Sequence, residues 1–525
     1  MTSGHELGPI ELVFLLLGIG LALSYIARRV RVADPILLLV GGVAVGFIPN
    51  LPALELPPDF VFLLFLPPIL FSAAFFTPIR DFKANARPIL LLAIGLVLVT
   101  TVAVGLIVQM LIPGIEPAVA FTLGAIVAPP DAVAATSIFR RSGVSRRIVT
   151  ILEGESLIND ASSLIAYRTA SAVVATGAFS LIDAAEQFVI VGIGGVLIGL
   201  IFGTVLARAL SRTAEPVLEI IFTLLVPFAS YVSAEQLGFS GVLATVVAGI
   251  ITGRRAARVL SPEARLLGRG AWQTLVWVIN VMVFMLLGLQ LREILQGLSD
   301  YSAAELLWLG AIVSLTVIVV RIAWVYPATY LPRLLSARLR ERDPSPPARA
   351  VFIVAWAGMR GVVSLAAALA LAADFPEREL ILYLTFAVIV VTLVGQGLTL
   401  PWIIERLGVR RAVDGLEEEE AHARLTAVEA ARARLDELEI EYPTHLPLIE
   451  QLRTGYDHEA SHWPHRGEQP DEAQREIIDH RAIRSAIREA EREAVIRLRD
   501  DGEINDETLR RLELDLDLEA LQSDT

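Results

Sequence analysis

The sequence predicts an all-α, polytopic membrane protein that ends in a helical tail facing water. Apolar stretches follow one another through residues 1–410, and 54% of the 525 residues are hydrophobic while only 19% are charged. Soluble domains contain about 25% charged and roughly 45–50% apolar residues. Residues 412–525 hold 31 acidic and 14 basic residues, net −17, whereas the rest of the chain is net +4. We therefore predict a membrane domain over residues 1–410 and a water-facing tail over residues 411–525.

Thirteen apolar segments are candidate membrane spans. A transmembrane helix needs about 20 mostly apolar residues to cross the hydrocarbon core, and only the second and ninth segments are clearly shorter. The predicted spans are approximately 9–27, 35–49, 59–79, 88–112, 117–138, 147–176, 187–211, 216–237, 239–252, 271–297, 304–333, 349–373 and 378–406.

Basic residues fall on one side of these spans. Loops after odd-numbered spans carry arginines and lysines, as at Arg28 and Arg140, whereas loops after even-numbered spans carry acidic residues, as at Glu116 and Asp183. Because basic loops stay in the cytoplasm, we predict a bacterial inner-membrane protein with its N-terminus outside and its tail in the cytoplasm. The first apolar run is followed by Arg28 and Arg29 rather than by small residues, so we expect a retained helix rather than a signal peptide.

Two spans contain residues that interrupt a helix. The fifth contains Pro129 and Pro130, which remove two backbone donors and clash with the preceding turn, and the twelfth contains Gly-Met-Arg-Gly at 358–361. Interrupted helices at membrane depth are tolerated only where protein or a wet cavity surrounds them. Each lies fifth in a set of six, spans one to six and eight to thirteen. This predicts two inverted six-helix repeats, with two broken, crossing helices at a binding site.

A charged side chain at the middle of the membrane raises the free energy of insertion by roughly 2.5–3.5 kcal/mol. Charged residues at this depth therefore indicate where the binding site lies. With a rise of about 1.5 Å per residue, Asp131 lies about 21 Å from the outer end of span five, and Asp160 and Arg360 lie about 20 Å and about 17 Å from the cytoplasmic ends of spans six and twelve. All three therefore approach one level. For Arg168 and Arg321 we expect structural ion pairs or snorkelling.

Span six has one polar face. The residues in this stripe are Ser156, Asn159, Asp160, Ser163 and Tyr167. At 100° per residue they cover about 100°, with Glu155 about 40° further round. Hard cations such as Na⁺ prefer oxygen ligands, which this face supplies as carboxylate, hydroxyl and amide oxygens. The interrupted span five adds free carbonyls, for example at Pro130.

An alternative interpretation is that these charges only pair with one another and hold helices together. Arg360, however, cannot neutralise Asp131, Glu155 and Asp160 at once. At least one carboxylate then needs a proton or a cation, because an uncompensated buried charge is costly. The residues thus favour one carboxylate site with two mutually exclusive occupants.

Four sequence blocks, in order, resemble the monovalent cation–proton antiporter-1 family, the sodium/proton exchangers. The strongest is Glu-Gly-Glu-Ser-Leu-Ile-Asn-Asp at 153–160, and the others are Leu-Pro-Pro-Ile-Leu at 66–70, Ala-Pro-Pro-Asp-Ala-Val-Ala at 128–134 and Gly-Met-Arg-Gly-Val-Val-Ser at 358–364. The resemblance covers about 8–408. It implies an antiporter of Na⁺, K⁺ or Li⁺ against H⁺ that serves cytoplasmic pH and cation homeostasis.

The resemblance also implies residue roles. Asp160 would hold the cation or the proton in turn, Ser156 would be a direct oxygen ligand, and Asp131 would interact with Asn159 and the ion region. Asn159, first of the Asn-Asp pair, would support the unwound segment and mark electroneutral, one-for-one exchange. Relatives with Asp-Asp at this place tend to be electrogenic.

Further expectations from the resemblance concern an ion pair and the assembly. Glu155 would pair with Arg360, and the protein would be a homodimer whose core helices move like an elevator against a dimerisation domain. Two positions depart from the family: Pro130 replaces a frequent Thr, and Ser72 stands where many members have an acidic residue. The cation shell would therefore be thinner or more hydrated, which leaves Na⁺ against K⁺ selectivity open.

The tail reads as charged amphipathic helices, notably over 425–438 and 481–498. Six of the seven histidines lie here, and we favour solvated surface over a pH sensor. A metal site at His458, His462 and His465 is the weaker interpretation, because the chain has no Cys and no second cluster. We expect a regulatory or assembly module.

Other functional classes fit the sequence less well. Coupled transport of an anion or another solute would need positive charge at the site, where carboxylates outnumber Arg360. A non-transporting sensor would need a signalling motif in the tail, and no Gly-rich phosphate loop is present. A gated channel would need a filter motif. We expect no enzymatic activity, no cofactor and no nucleic-acid partner.

Overall fold

A computed structural model describes residues 8–30, 32–48, 58–213, 215–298, 301–409 and 414–462, together with 487, 489–498, 501, 508 and 512. The chain divides into two compact units, Met1–Arg411 and Ala412–Thr525. All regular elements in the described ranges are helical. The protein is therefore all-α, as the sequence predicts.

The described part of the first unit contains twenty α-helices. Those of its first half are α1 (Pro9–Val30), α2 (Asp34–Gly46), α3 (Pro58–Phe76), α4 (Ile79–Ala84), α5 (Ala86–Leu90), α6 (Val97–Leu111), α7 (Pro117–Val127), α8 (Ala132–Ser142), α9 (Arg146–Thr176) and α10 (Leu181–Leu210). Those of its second half are α11 (Pro216–Gln236), α12 (Gly241–Val259), α13 (Pro262–Leu289), α14 (Leu291–Gln296), α15 (Ala303–Leu335), α16 (Ala337–Arg342), α17 (Ala348–Trp356), α18 (Val362–Leu369), α19 (Arg378–Val390) and α20 (Gly397–Leu407).

Each of the thirteen predicted spans coincides with one helix or with consecutive helices. In the described part of the chain, eight helical stretches are long and apolar enough to cross a membrane. Helix α9 is long enough at 31 residues, but it carries several charged side chains, among them Glu155 and Asp160. The protein is thus a multi-pass membrane protein, and the number of thirteen remains a prediction.

Spans five and twelve are both interrupted, at the residues that the sequence singles out. Helix α7 ends at Val127 and α8 begins at Ala132, because Pro129 and Pro130 cannot donate to the helix ladder. Helix α17 ends at Trp356 and α18 begins at Val362, with the Gly-Met-Arg-Gly segment between them. Each interruption leaves two helix ends, with unpaired N–H and C=O groups, inside the protein.

Two other spans contain a π-helical turn instead of a break. Residues Leu91–Leu96 join α5 to α6, and Val391–Gln396 join α19 to α20. A π turn shifts the hydrogen-bond register by one residue and often occurs at functional sites. The free carbonyl of Leu91 accepts a hydrogen bond from the indole of Trp324, at 3.0 Å.

Glycines allow α10 to pack closely on α12. They recur every four residues at Gly195, Gly199 and Gly203. A Cβ at Gly195 would lie 2.6 Å from the carbonyl oxygen of Ser240, and one at Gly203 would lie 3.0 Å from the Cα of Ala248. Small residues at this spacing let the two backbones approach closely. In a membrane, where no hydrophobic effect drives helices together, such close packing promotes their association.

The described part of the second unit is a helical hairpin. Helix α21 (Asp414–Glu441) is followed by a 3₁₀ turn at Pro443–His445 and by α22 (Leu446–His462). Arg453 of α22 contacts Asp436 and Glu439 of α21, each at 2.8 Å. The predicted helix over 425–438 lies within α21, while the side chains of the possible histidine site, His458, His462 and His465, all lie outside the described ones.

Candidate functional site

Asp131 joins the two interrupted helices. Its side chain caps α8 by accepting a 2.8 Å hydrogen bond from the N–H of Val133. Its own N–H donates to the carbonyl of Met359 at 2.6 Å, in the break between α17 and α18. A Cβ at Gly361 would overlap the carboxylate of Asp131. The two breaks are therefore in direct backbone contact, and Asp131 lies between them.

The polar face of α9 contacts the first break. Asn159 donates from its amide Nδ2 to the carbonyl of Pro130, at 2.8 Å. The hydroxyl of Ser156 accepts a long bond of 3.4 Å from the N–H of Ala132. One turn further along, Ser163 donates to the carbonyl of Ala125 at 2.8 Å. These bonds satisfy backbone groups that the prolines leave without partners.

Asp160 is buried, with 6% of its surface exposed, and no ion pair neutralises it. Among the described residues no Arg, Lys or His nitrogen lies within 4 Å of its carboxylate. Asp131 is near enough for the two negative charges to repel each other. The amide oxygen of Asn159 is also buried and without a hydrogen-bond partner. An unsatisfied amide oxygen thus lies beside a buried carboxylate that lacks a cationic partner.

The predicted ion pair of Glu155 with Arg360 is wrong, because Glu155 pairs with Arg321 of α15. Both carboxylate oxygens of Glu155 accept from this guanidinium, at 2.5 and 2.9 Å, and both side chains are at most 1% exposed. Arg321 also donates to the carbonyl of Val354 at 3.1 Å. A planar guanidinium matches a carboxylate in this two-bond geometry, so the pair leaves Arg360 to other partners.

Arg360 stabilises helix ends instead of a carboxylate. Its Nε donates to the carbonyl of Val127, the last residue of α7, at 3.2 Å, and its Nη1 donates to the carbonyl of Gly358. Its own N–H donates to Thr392 of the second π turn at 3.1 Å. Carbonyl ends of helices carry partial negative charge, and here a fully buried guanidinium compensates them.

The charge balance of this region leaves a negative surplus. Three carboxylates, those of Asp131, Glu155 and Asp160, face two guanidiniums, of which one is fully engaged by Glu155. The other is engaged by carbonyl groups. Asp131 and Asp160 therefore remain without a cationic side chain, and a cation or a proton can supply the missing charge.

The structure assembles most of the residues that the sequence singles out. It brings Asp131, Asn159 and Ser156 together around the carbonyl of Pro130, with Asp160 on the same face of α9. Sequence reasoning missed Arg321 as the partner of Glu155, as well as the bonds of Ser163 and Thr392. Ser163 itself lies in the predicted polar stripe, but the helical period does not show that its partner is the carbonyl of Ala125. Arg168 pairs with Glu235, in agreement with the expected structural role.

A family comparison decides the identity of the chain. The model of the sodium/hydrogen exchanger transmembrane family matches residues 13–406, about three quarters of the sequence. The chain belongs to the sodium/hydrogen exchanger family. Members of this family are secondary transporters, so the protein is an antiporter and not an enzyme.

Individual members of the exchanger family agree with this assignment. An uncharacterized Na⁺/H⁺ exchanger of Mycobacterium tuberculosis is 32% identical over 95% of this chain and 93% of its own length. A sodium, potassium, lithium and rubidium/H⁺ antiporter of Bacillus pumilus is 33% identical over 81% of this chain and 65% of its own length. The mycobacterial exchanger therefore also aligns with most of the tail, which the family model does not cover.

A solved structure confirms the fold of the exchanger domain. The sodium proton antiporter MjNhaP1 from Methanocaldococcus jannaschii superposes with a TM-score of 0.61 over 76% of this chain and 98% of its own, at 20% identity.

Proposed function

We propose that this exchanger swaps one Na⁺ or K⁺ for one H⁺ at Asp160, without net charge movement. The observation that carries the proposal is that Asp160 is buried yet lacks any cationic partner among the described residues. Such a carboxylate is stable only with a bound proton or a bound cation. Because one group holds either occupant but not both, loading one from one side of the membrane releases the other.

The oxygens near Asp160 would form the cation shell. The carboxylate of Asp131, the hydroxyl of Ser156 and the carbonyl of Pro130 all lie along the first break. The Pro130 carbonyl keeps a second lone pair besides the one that Asn159 uses. All of these are hard oxygen ligands, which alkali cations prefer over nitrogen or sulfur.

The oxygen ligands around Asp160 do not by themselves select one alkali cation. Na⁺ and K⁺ share the same ligand chemistry, and Pro130 and Ser72 remove oxygens that other family members supply. The Bacillus pumilus relative is named for sodium, potassium, lithium and rubidium. This breadth supports a site that accepts more than one alkali cation.

We further propose an architecture of thirteen spans in two inverted six-helix repeats, with the broken helices crossing at the site. The N-terminus would lie outside and the tail would lie in the cytoplasm of a bacterial inner membrane. The working unit would be a homodimer in which the core helices move like an elevator. The tail would regulate transport or support assembly.

Asp160→Asn tests the site directly. The amide cannot exchange a proton for a cation, so reconstituted protein should show no Na⁺-, K⁺- or Li⁺-driven proton flux, measured with a pH dye inside liposomes. Glu153→Gln is the matched control on the same helix, because Glu153 pairs with the exposed Arg140 near the end of α8. It should retain exchange. Proton flux in a folded Asp160→Asn protein would overturn the proposal.

One-for-one stoichiometry has its own test. Exchange rates in the same liposomes should not change when a membrane potential of either sign is imposed. A rate that follows the potential, or a current that accompanies turnover, would show unequal exchange. Asn159→Asp is informative here because it adds a second titratable carboxylate beside Asp160. We expect it to make exchange sensitive to the potential.

A further inference from the structure

A cavity lies at the end of the first unit where α9 begins and α15 ends. Its walls are mostly aliphatic, including Leu92, Val325 and Val351, and its rim carries the guanidiniums of Arg147 and Arg333. The water-accessible space is about 70 Å³. This exceeds the room for a single water, and it suits one small group with the remainder of its molecule outside.

Three arginines surround a single carboxylate at this rim. Arg87 and Arg333 contact one oxygen of Asp343 at 2.9 and 2.6 Å, and Arg147 contacts the other at 2.6 Å. Arg147 also donates to the amide oxygen of Asn85 at 3.0 Å. The four ionised groups sum to a net charge of +2, so Asp343 alone does not neutralise them.

Donor groups of Arg87, which precedes the cavity-lining Pro88 and contacts Asp343, remain unused. The Nε and Nη1 atoms of Arg87 are buried and have no hydrogen-bond partner. Arg147 keeps 43% of its side chain exposed, whereas Arg333 keeps 4%. Unsatisfied buried donors with surplus positive charge are costly, and an anion with several acceptor oxygens would remove both costs.

The combination of charge and apolar walls selects the chemistry of the ligand. A free inorganic anion would use the arginines but not the aliphatic walls, and an uncharged apolar chain would use only the walls. We propose that this cavity binds the phosphate group of an anionic phospholipid, with adjoining methylenes against the aliphatic walls. The planar guanidinium of an arginine can donate two parallel hydrogen bonds to the oxygens of a phosphate. The cluster lies on the side where the basic loops place the cytoplasmic leaflet, which is rich in anionic lipid.

The position of the cavity connects such a lipid with three helices of the transport site. Arg147 lies at the start of α9, which carries Asp160, and Arg333 lies near the end of α15, which carries Arg321. Asp343 leads into α17, which ends at the second break. A bound phosphate would therefore fix the relative positions of these helix ends.

Lipid-dependent stabilisation of the purified full chain tests the proposal. Phosphatidylglycerol and phosphatidylcholine are titrated in detergent, and the apparent affinity is read from the shift in Tm. Phosphatidylglycerol should stabilise the wild type at lower concentration than phosphatidylcholine. Arg87→Gln/Arg147→Gln should weaken its apparent affinity about tenfold or more, since it loses charge-assisted bonds. Arg146→Gln is the matched control, because Arg146 pairs with Asp81 instead of Asp343. It should bind as the wild type does.

A variant of opposite sign keeps the test decisive if the double arginine variant does not fold. Asp343→Asn removes the competing carboxylate and should raise the affinity for phosphatidylglycerol. Equal affinities of wild type and Asp343→Asn, equal effects of the two lipids, or an unchanged affinity of the double variant would each overturn the proposal. Stabilisation by inorganic phosphate or pyrophosphate at the same concentrations would also overturn it, in favour of a soluble anion.

Discussion

Glu155 and Arg321 show how the exchanger contains charge in its interior. Each alone would be expensive to bury, and the pair is tolerated because both oxygens of the carboxylate meet the guanidinium. The pair therefore contributes little net free energy, but the loss of one partner leaves an uncompensated charge.

We expect Arg321→Gln to lower the free energy of unfolding by about 3–5 kcal/mol, because it leaves the buried carboxylate of Glu155 without a cationic partner. Arg146→Gln, which breaks the exposed pair with Asp81, should cost about 0–1 kcal/mol. Chemical denaturation in detergent micelles measures both. If the two variants were equally stable, the Glu155–Arg321 pair would not be buried as described.

Gly361 is a second position where a single atom matters. Its φ of −145° is open to any residue, but an added Cβ would overlap the carboxylate of Asp131. Gly361→Ala should therefore displace Asp131 and slow exchange by about tenfold or more, as small misplacements do in other active sites. Gly395→Ala, where no atom lies within 4 Å of the new Cβ, should exchange normally. Proton flux into proteoliposomes at equal protein content distinguishes the two variants. A normal rate for Gly361→Ala would show that a Cβ at this position does not displace Asp131.

At the residue scale, the sequence predicts which side chains share a helix face better than it predicts which residues they contact. The helical period places Ser156, Asn159 and Asp160 on one face, because that depends only on local geometry. The partner of Glu155 depends on how α15, 166 residues away, packs against α9. Arg321 and Arg360 both reach the membrane interior, and only the packing decides which of them meets the carboxylate.

At the scale of elements, the two interrupted helices place four helix ends inside the protein. The carbonyl ends of α7 and α17 meet Arg360 and Arg321, while Asp131 caps the N-terminus of α8. Three of the four partial charges thus meet a side chain of opposite sign. The prolines and glycines predict both interruptions. The π turns had no such signal, since Leu91–Leu96 and Val391–Gln396 contain no proline and read as ordinary apolar helix.

The connection between α16 and α17 has a predictable pH response. Burial alone would raise the pKa of Asp343, but the hydrogen bond and charge of Arg147, with the charges of Arg333 and Arg87, hold this pKa below its ordinary value of 3.8. A depressed pKa stabilises the folded state above the unfolded-state pKa, and that contribution is lost as the pH falls towards the folded-state pKa.

The difference in Tm between wild type and Asp343→Asn in lipid-free detergent should therefore be constant from about pH 5 to 8 and shrink below about pH 4. Thermal denaturation at a series of pH values measures it. A difference that already falls near neutral pH would mean that Asp343 is not held by the three arginines.

At the scale of the whole molecule, orientation is the expectation that most needs a direct measurement. The chain has no Cys, so single cysteines report the exposure of their own loop. Ala178, in the α9–α10 loop, should react with an impermeant maleimide in intact cells when changed to Cys. Ala257→Cys, near the end of α12, should react only after permeabilisation. The reverse pattern would place the N-terminus inside and invert every assignment of sides.

The overall organisation follows from the sequence more completely than the site does. Hydropathy marks the apolar helices of the first unit, though not the short charged helices α4 and α16, and the change in composition near residue 410 falls beside the division at Arg411. These features are averages over many residues, which tolerate local error. The cluster of Arg87, Arg147 and Arg333 around Asp343 was not predicted, because the arginines lie on three helices that are distant in sequence and whose contact no local pattern encodes.

The link from the N–H of Asp131 to the carbonyl of Met359 uses main-chain atoms alone. Side-chain replacement at either position leaves it in place, apart from proline at 131, whereas an inserted or deleted residue in one interruption would misalign both. A chimaera that takes one interrupted helix from a distant exchanger should therefore work only if the loop length is kept. The two halves of the protein can therefore change in amino-acid composition, but the number of residues in each interruption must stay the same.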